Sequence, residues 1–238
     1  MALANGPTLV GTIEQGLNAT IVAGNDLIWD TRMIVGSAST AKSAEDLKGA
    51  NFGITGRGGP GDYSVVRMAE KLGWSEADYK FTTLKDLPSL MAALESGAID
   101  AFPWGSDVGY RMQALGTGKI VADAADFVGP NVFHGFSVND DFIEKHPDLL
   151  KRFFEAYFEA VKRVQQDPKL LLDILVNDWN VAADAAQLIV DEGSFDLIST
   201  DGAITDDELK GLADAAAYSL GDDSMKDKPV KFTYWKDL

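Results

Sequence analysis

The chain contains no cysteine among its 238 residues. That removes disulfides, thiolate metal sites and cysteine nucleophiles, and it chooses no compartment. No run of about 18 apolar residues occurs, so no segment is long enough to cross a bilayer as a helix. Met1–Val10 lacks the basic start and apolar stretch of a secretory signal, so an exported form would be a processed or trimmed chain. Histidine is scarce: only His134 and His146 occur. Neither a His-x-x-x-His pair nor an acid-rich metal spacing is present, and no metal is expected. No Gly-x-Ser-x-Gly appears, so the serines have no nucleophile-elbow context. Neither a catalytic residue nor a cofactor is expected. Basic residues are few, with 21 Lys and Arg against 37 Asp and Glu and a formal net charge of −16. The overall field therefore repels nucleic acid and anionic membranes.

What is present suits a folded core, with 46% hydrophobic and 10% aromatic residues, enough for one large or two small domains. The most informative stretch runs from Asn51 to Gly73. Asn51–Thr55 is short and apolar and reads as a buried strand. Tyr63–Leu72 places Val65, Val66, Met68, Ala69 and Leu72 at helical spacing, with Gly73 as a stop. Between them, Gly56-Arg57-Gly58-Gly59-Pro60-Gly61-Asp62 lets backbone N–H groups approach a ligand and leads into a helix N-terminus, where an anion is favoured. Arg57 adds a fixed cation. The stretch reads as half of a small-anion site, beside the plainer reading of a common strand–loop–helix connection. Gly56-x-Gly58-x-x-Gly61 also fits a dinucleotide fingerprint, with Asp86 after the next strand. Pro60 removes a donor from such a cradle and Arg57 crowds it, so that reading is not preferred.

Before this stretch, Asn5-Gly6-Pro7-Thr8 starts a helix over Thr8–Gln15. Ala19–Ala23 is a strand, Gly24–Asp30 a loop, and Met33–Gly36 a second short strand. Ser43–Asp46 caps a brief helical turn. After it, Tyr79–Leu84 is a strand, Leu87–Ser96 a helix and Ile99–Phe102 a strand. The resulting β-α-β-α-β order implies a parallel sheet. Gly109–Leu115 is a helix, Lys119–Ala122 and Val132–Val138 are strands, and Asp141–Gln166 is helical with a break at His146-Pro147. Pro168–Asp178, Ala182–Glu192 and Thr205–Leu220 are further helices, and Phe232–Trp235 packs the C-terminus. No internal repeat or low-complexity linker is visible.

Trp104 follows Pro103 at the C-terminal end of a strand, where open α/β sheets place ligands, and is suited to stacking on one. Asp107 accepts from an amine or, in the favoured reading, caps the next helix. Trp29 has a similar ambiguity in its loop, and Trp74 is a packing anchor. His134 either touches a ligand or is a satisfied core histidine, and His146 is structural.

Laid out in this order, the chain resembles the periplasmic solute-binding proteins of ABC importers. The branch is the nitrate/sulfonate/taurine and thiamine-pyrimidine-precursor (NMT1/THI5-like) group. The residues that carry the resemblance are Ser43-Ala44-Glu45-Asp46-Leu47-Lys48-Gly49, the Gly56–Tyr63 loop, the run Leu90–Ala101, and the helix Phe142–Ala160. It extends from about Gly6 to Asp167. The resemblance implies an α/β, type II periplasmic-binding-protein-like fold of two lobes with a hinge of two crossover strands. Carried over, Met33–Ser37 and Val132–Val138 are the crossovers. Residues 1–41 with 126–238 form the first lobe, and 42–125 the second. Ligand-binding positions are then Thr8, Trp29, Arg57, Gly58, Gly59, Gly61, Asp62, Tyr63, Trp104, Asp107 and His134.

Full members of the group begin with further β-α-β elements, and this chain is expected to start after them. The first lobe is therefore expected to be truncated, reduced or completed by another chain, and a homo-oligomer follows if it is incomplete. The function implied is capture of a small organic anion, a sulfonate, carboxylate or relative, by hinge closure and delivery to an ABC permease. No nucleic acid takes part. The location implied is periplasmic or extracellular and lipid-anchored. Two alternatives share the architecture: an enzyme of thiamine-pyrimidine synthesis and a ligand-sensing domain.

Overall fold

A computed structural model describes all residues 1–238. In chain order, the first elements are β1 (Ala2–Asn5), α1 (Gly6–Glu14), β2 (Ala19–Asp26), β3 (Arg32–Gly36), β4 (Asn51–Ile54) and α2 (Pro60–Lys71). Next come β5 (Lys80–Thr83), α3 (Leu87–Glu95), β6 (Ala101–Trp104), α4 (Ser106–Ala114), β7 (Gly118–Asp123) and α5 (Ala125–Val128). The remainder holds β8 (His134–Asn139), α6 (Asp140–Lys145), α7 (Pro147–Gln166), α8 (Pro168–Asp173), α9 (Ala183–Asp191) and α10 (Asp206–Leu220). A π turn over Ile174–Asp178 extends α8.

The chain divides into two compact units, Met1–Trp29 with Gly129–Leu171 and Phe195–Leu238, and Asp30–Val128 with Leu172–Ser194. Residues 30–41, 126–128 and 172–194 thus belong to the second unit, where the sequence reading placed them with the first.

The first unit is built on an antiparallel sheet of order β1-β8-β2. β1 pairs with β8 in the register Ala2↔Ser137 to Asn5↔His134. The sequence reading gave no strand there and started a helix at Asn5, because four residues carry too little alternation to show one. One cluster joins Leu9, Val10, Ile21, Val132, Leu212, Ala216 and Met225, from α1, the sheet, α10 and the C-terminal segment. A second, aromatic cluster joins Val22, Phe136, Leu150, Phe154, Phe158 and Trp235. Leu150, Phe154 and Phe158 recur at i, i+4 and i+8, so α7 turns one apolar stripe inward. Trp235 stacks on Phe158 at 5.9 Å and donates Nε1–H to the Asp201 carbonyl at 2.6 Å. The expected packing of the C-terminal aromatics holds at this residue. α10 opens with a Thr205/Glu208 capping box and ends at Gly221 with φ 64°.

The second unit has a five-stranded sheet of order β5-β4-β6-β3-β7. β4 is parallel to β5 and to β6, as the β-α-β-α-β reading implied. β3 is antiparallel to both β6 and β7, so the whole sheet is mixed. Met33–Ser37 and Val132–Val138, read as crossovers, supply most of β3 and β8, the antiparallel strand that begins each unit's new stretch of chain. Ile34, Leu90, Leu94, Ile99, Phe102 and Met112 fill the core between this sheet and its helices. Asp86 is spent as the N-cap of α3, accepting from the Ser89 N–H at 3.0 Å and hydroxyl at 2.6 Å. That leaves it no ribose role.

Candidate functional site

In the second unit, the C-terminal ends of the parallel strands carry the glycine loop and the turn after Trp104. β4 ends at Ile54 and the loop leads to α2, which begins with Pro60 at N1, where a missing N–H costs nothing. Gly61 allows the loop to press on the end of β6: a Cβ there would lie 2.9 Å from Pro103 Cγ. The loop therefore meets the Pro103–Trp104 end of β6 at the C-terminal end of two neighbouring strands.

Inside the loop, Asp62 behaves differently from the expectation. Its side chain is fully buried and its carboxylate lies 2.9 Å from the Arg57 guanidinium. It also accepts the Gly58 N–H at 2.7 Å. The chain's own carboxylate thus takes a donor and a cation that the sequence reading gave to a ligand. Arg57 stays 60% exposed and its guanidinium lies 4.4 Å from the Phe81 ring centroid. It is a cation held on one side and open on the other. Tyr63 is buried, and Gly58, Gly59 and Gly61 are half-buried.

Trp104 is half-buried, packs on the Phe102 and Ile120 cluster, and pairs in register with Arg32. Asp107 sits in the first turn of α4, whose N-cap is Gly105, and pairs with Arg111 at 3.7 Å. It is not the cap that the sequence reading favoured. Burial lifts its carboxyl above the usual range, with Arg111 opposing.

The sequence reading missed the group beside Trp104. Arg32 is buried and reaches Asp123 at 2.8 Å and Asp30 at 3.3 Å. Asp30 in turn accepts the Ser106 hydroxyl at 3.1 Å. Tyr110 also bonds Arg32, and burial raises its phenol. The signal was an arginine heading an apolar run, which reads as a loop residue until its partners are known.

In the first unit, Thr8 lies exposed in the first turn of α1, and the Gly6 N–H bonds the Phe133 carbonyl at 2.9 Å. Trp29 is only 1% exposed and packs on Phe133 with ring centroids 5.0 Å apart. It is a packing residue rather than a solute-facing one. His134 heads β8, and its Nδ1 lies 2.5 Å from Asp26 Oδ2. His146 is exposed at the α6–α7 junction, with its ring 4.8 Å from Phe142. The structure thus groups Arg57, Asp62, the loop glycines, Trp104 and Asp107 in one unit, and Thr8, Trp29 and His134 in the other.

No curated protein matches the sequence. Solved structures do match in fold. The alkanesulfonate-binding protein SsuA from Xanthomonas axonopodis pv. citri, bound to MOPS, is 15% identical with a TM-score of 0.74, covering 96% of this chain and 77% of that one. The periplasmic aliphatic sulphonate binding protein SsuA from Escherichia coli is 14% identical with a TM-score of 0.76, covering 96% and 76%. The desulfurization enzyme DSZB is 15% identical with a TM-score of 0.68, covering 96% and 80%. At these identities the likeness speaks for the fold, that of periplasmic binding proteins. A family model described as NMT1/THI5 like matches residues 1–170, and the chain belongs to the NMT1/THI5-like family.

Proposed function

We propose that the protein is the solute-binding component of an ABC-type importer, which captures a small organic anion by closure of its two lobes and delivers it to a membrane permease. The observation that carries the reading is Arg57. It is pinned by Asp62 and Phe81, lies 60% exposed, and follows β4 at the same C-terminal end of the parallel strands where Trp104 ends β6. A pre-oriented cation after one strand, with an indole at the end of the neighbouring strand, suits an anionic head on an organic body. Thr8 and His134 are the proposed contacts from the first unit, and Gly58, Gly59 and Asp107 those from the second. A periplasmic or lipid-anchored extracellular location goes with this role, and no helix is long and apolar enough to cross a membrane.

An enzyme is the second reading, favoured by the DSZB likeness and by the Asp26–His134 pair.

Native mass spectrometry before and after denaturation tests both, followed by calorimetric titration in a buffer free of sulfonates. Micromolar binding of a sulfonate or carboxylate returned unchanged supports the importer. Recovery of a converted product supports the enzyme. No binding across sulfonates, carboxylates and neutral heterocycles would sink the anion reading.

A further inference from the structure

The first unit contains a line of four hydrogen-bonded side chains. The Tyr157 hydroxyl, on α7, donates to Asn25 Oδ1 at 2.5 Å. Asn25 donates its amide to Asp26 Oδ1, and Asp26 Oδ2 meets His134 Nδ1 at 2.5 Å. Asn25 is buried and the Asp26 side chain is 14% exposed, whereas the His134 side chain is 36% exposed. The line therefore runs from an aromatic core to the surface at the end of the sheet where Asn5 also ends β1.

The backbone holds it as tightly. The Ser199 N–H bonds the Asn25 carbonyl at 2.6 Å and the Phe133 N–H bonds the Asp26 carbonyl at 2.8 Å. The Phe133 ring lies 4.4 Å from the imidazole. Burial, and after it the Asp26 charge, raise the Tyr157 phenol, so it stays a donor.

Asp26 Oδ1 accepts from Asn25, and an ionised carboxylate can only accept at Oδ2 as well, so the tautomer that matches the contact carries its proton on His134 Nδ1. A neutral imidazole so arranged presents Nε2 as an acceptor, and this nitrogen has no hydrogen-bond partner within the chain. We infer that Tyr157, Asn25 and Asp26 are positioning residues that fix His134 as a hydrogen-bond acceptor, so that the solute is an anion carrying an O–H or N–H donor on its organic part. This rests on the solute-binding reading above and narrows its ligand class.

The test compares 2-hydroxyethanesulfonate with ethanesulfonate by calorimetry at pH 8.5. The two probes share the anion and differ by one hydroxyl. Wild type is expected to prefer the hydroxylated probe by at least about 30-fold, because the other covers the imidazole acceptor without pairing it. His134→Ala should bring the ratio close to one. Asn25→Ala and Tyr157→Phe should each reduce it several-fold, with no further reduction when combined with His134→Ala. Tyr157→Phe keeps the ring and serves if Asn25→Ala does not fold. A mere packing role would lower both affinities alike and leave the ratio unchanged. A wild-type ratio near one, with both probes bound, would overturn this inference alone. Failure of both probes to bind would overturn the anion reading and this inference with it.

Discussion

The guanidinium of Arg32 stands 2.8 Å from the carboxylate of Asp123, tying the first residue of β3 to the last of β7. Asp30 approaches the same nitrogen at 3.3 Å, so one buried cation neutralises two acids. Removing a buried partner leaves charge uncompensated, and Arg32→Ala should cost about 3 kcal/mol in urea unfolding. Lysine cannot reproduce the planar fork, so Arg32→Lys should recover only part of this. Adding Asp123→Asn to Arg32→Ala should restore part of the stability, with Asp30 still uncompensated. A second loss in the double variant would mean that Asp123 is stabilised by other groups.

Asp140 makes a different acid-dependent clamp in the first unit. It accepts from Lys231 at 2.5 Å and from the Thr20 hydroxyl at 2.8 Å. The Lys231 bond, with help from Thr20, holds its carboxyl below the usual range. A lowered folded value means that the unfolded state binds the proton first as pH falls. Its contribution is therefore complete above the ordinary carboxylate range and is lost as pH drops from about 4 through the lowered value. Asp140→Asn should be less stable than wild type at pH 7 and nearly equal to it at the acid end. Unfolding midpoints that differ by the same amount at both ends would refute this assignment.

Gly202 is held with φ +73°, and a Cβ there would lie 2.4 Å from Phe158 Cζ and 2.8 Å from Ala23 Cβ. Its carbonyl also accepts the Gly24 N–H at 3.0 Å. Gly202→Ala combines a left-handed backbone with overpacking against an aromatic core and should cost about 3 kcal/mol. Gly73→Ala, at φ +68° with no atom within 4 Å of the new Cβ, should cost only about 1 kcal/mol. Comparing the two thermal midpoints separates collision from backbone strain.

These pairs show which signals a sequence carries. Asn51–Ile54, the glycine turn and α2 were legible because strand, turn and amphipathic helix are written in adjacent residues. β1 was not, since Ala2–Asn5 is a strand only by virtue of β8. Trp29, in a stretch read as a loop, looked able to meet a ligand, and nothing nearby announces that Phe133 covers it. Arg32 and His134 owe their settings to Asp123 and Asp26, brought close only by folding. Asp62 was misread for the opposite reason. A glycine-rich turn into a helix invites an anion, and the chain supplies its own four residues after Gly58.

That internal carboxylate decides how the loop meets a solute. With Asp62 bonded to Gly58 and paired with Arg57, the loop is ordered before any solute arrives, and the exposed side of Arg57 is already aimed. Asp62→Ala frees one N–H and unpins the cation. It should cost about 2 kcal/mol in stability, as expected for a charge-assisted bond, and speed amide exchange at Gly58. Ethanesulfonate affinity should then fall several-fold, because the order that Asp62 supplied must be paid for on binding. Arg57→Gln should abolish most of the binding in either background. A rise in affinity on removing Asp62 would reverse the assignment, making the carboxylate a competitor for the solute's place rather than the support of Arg57.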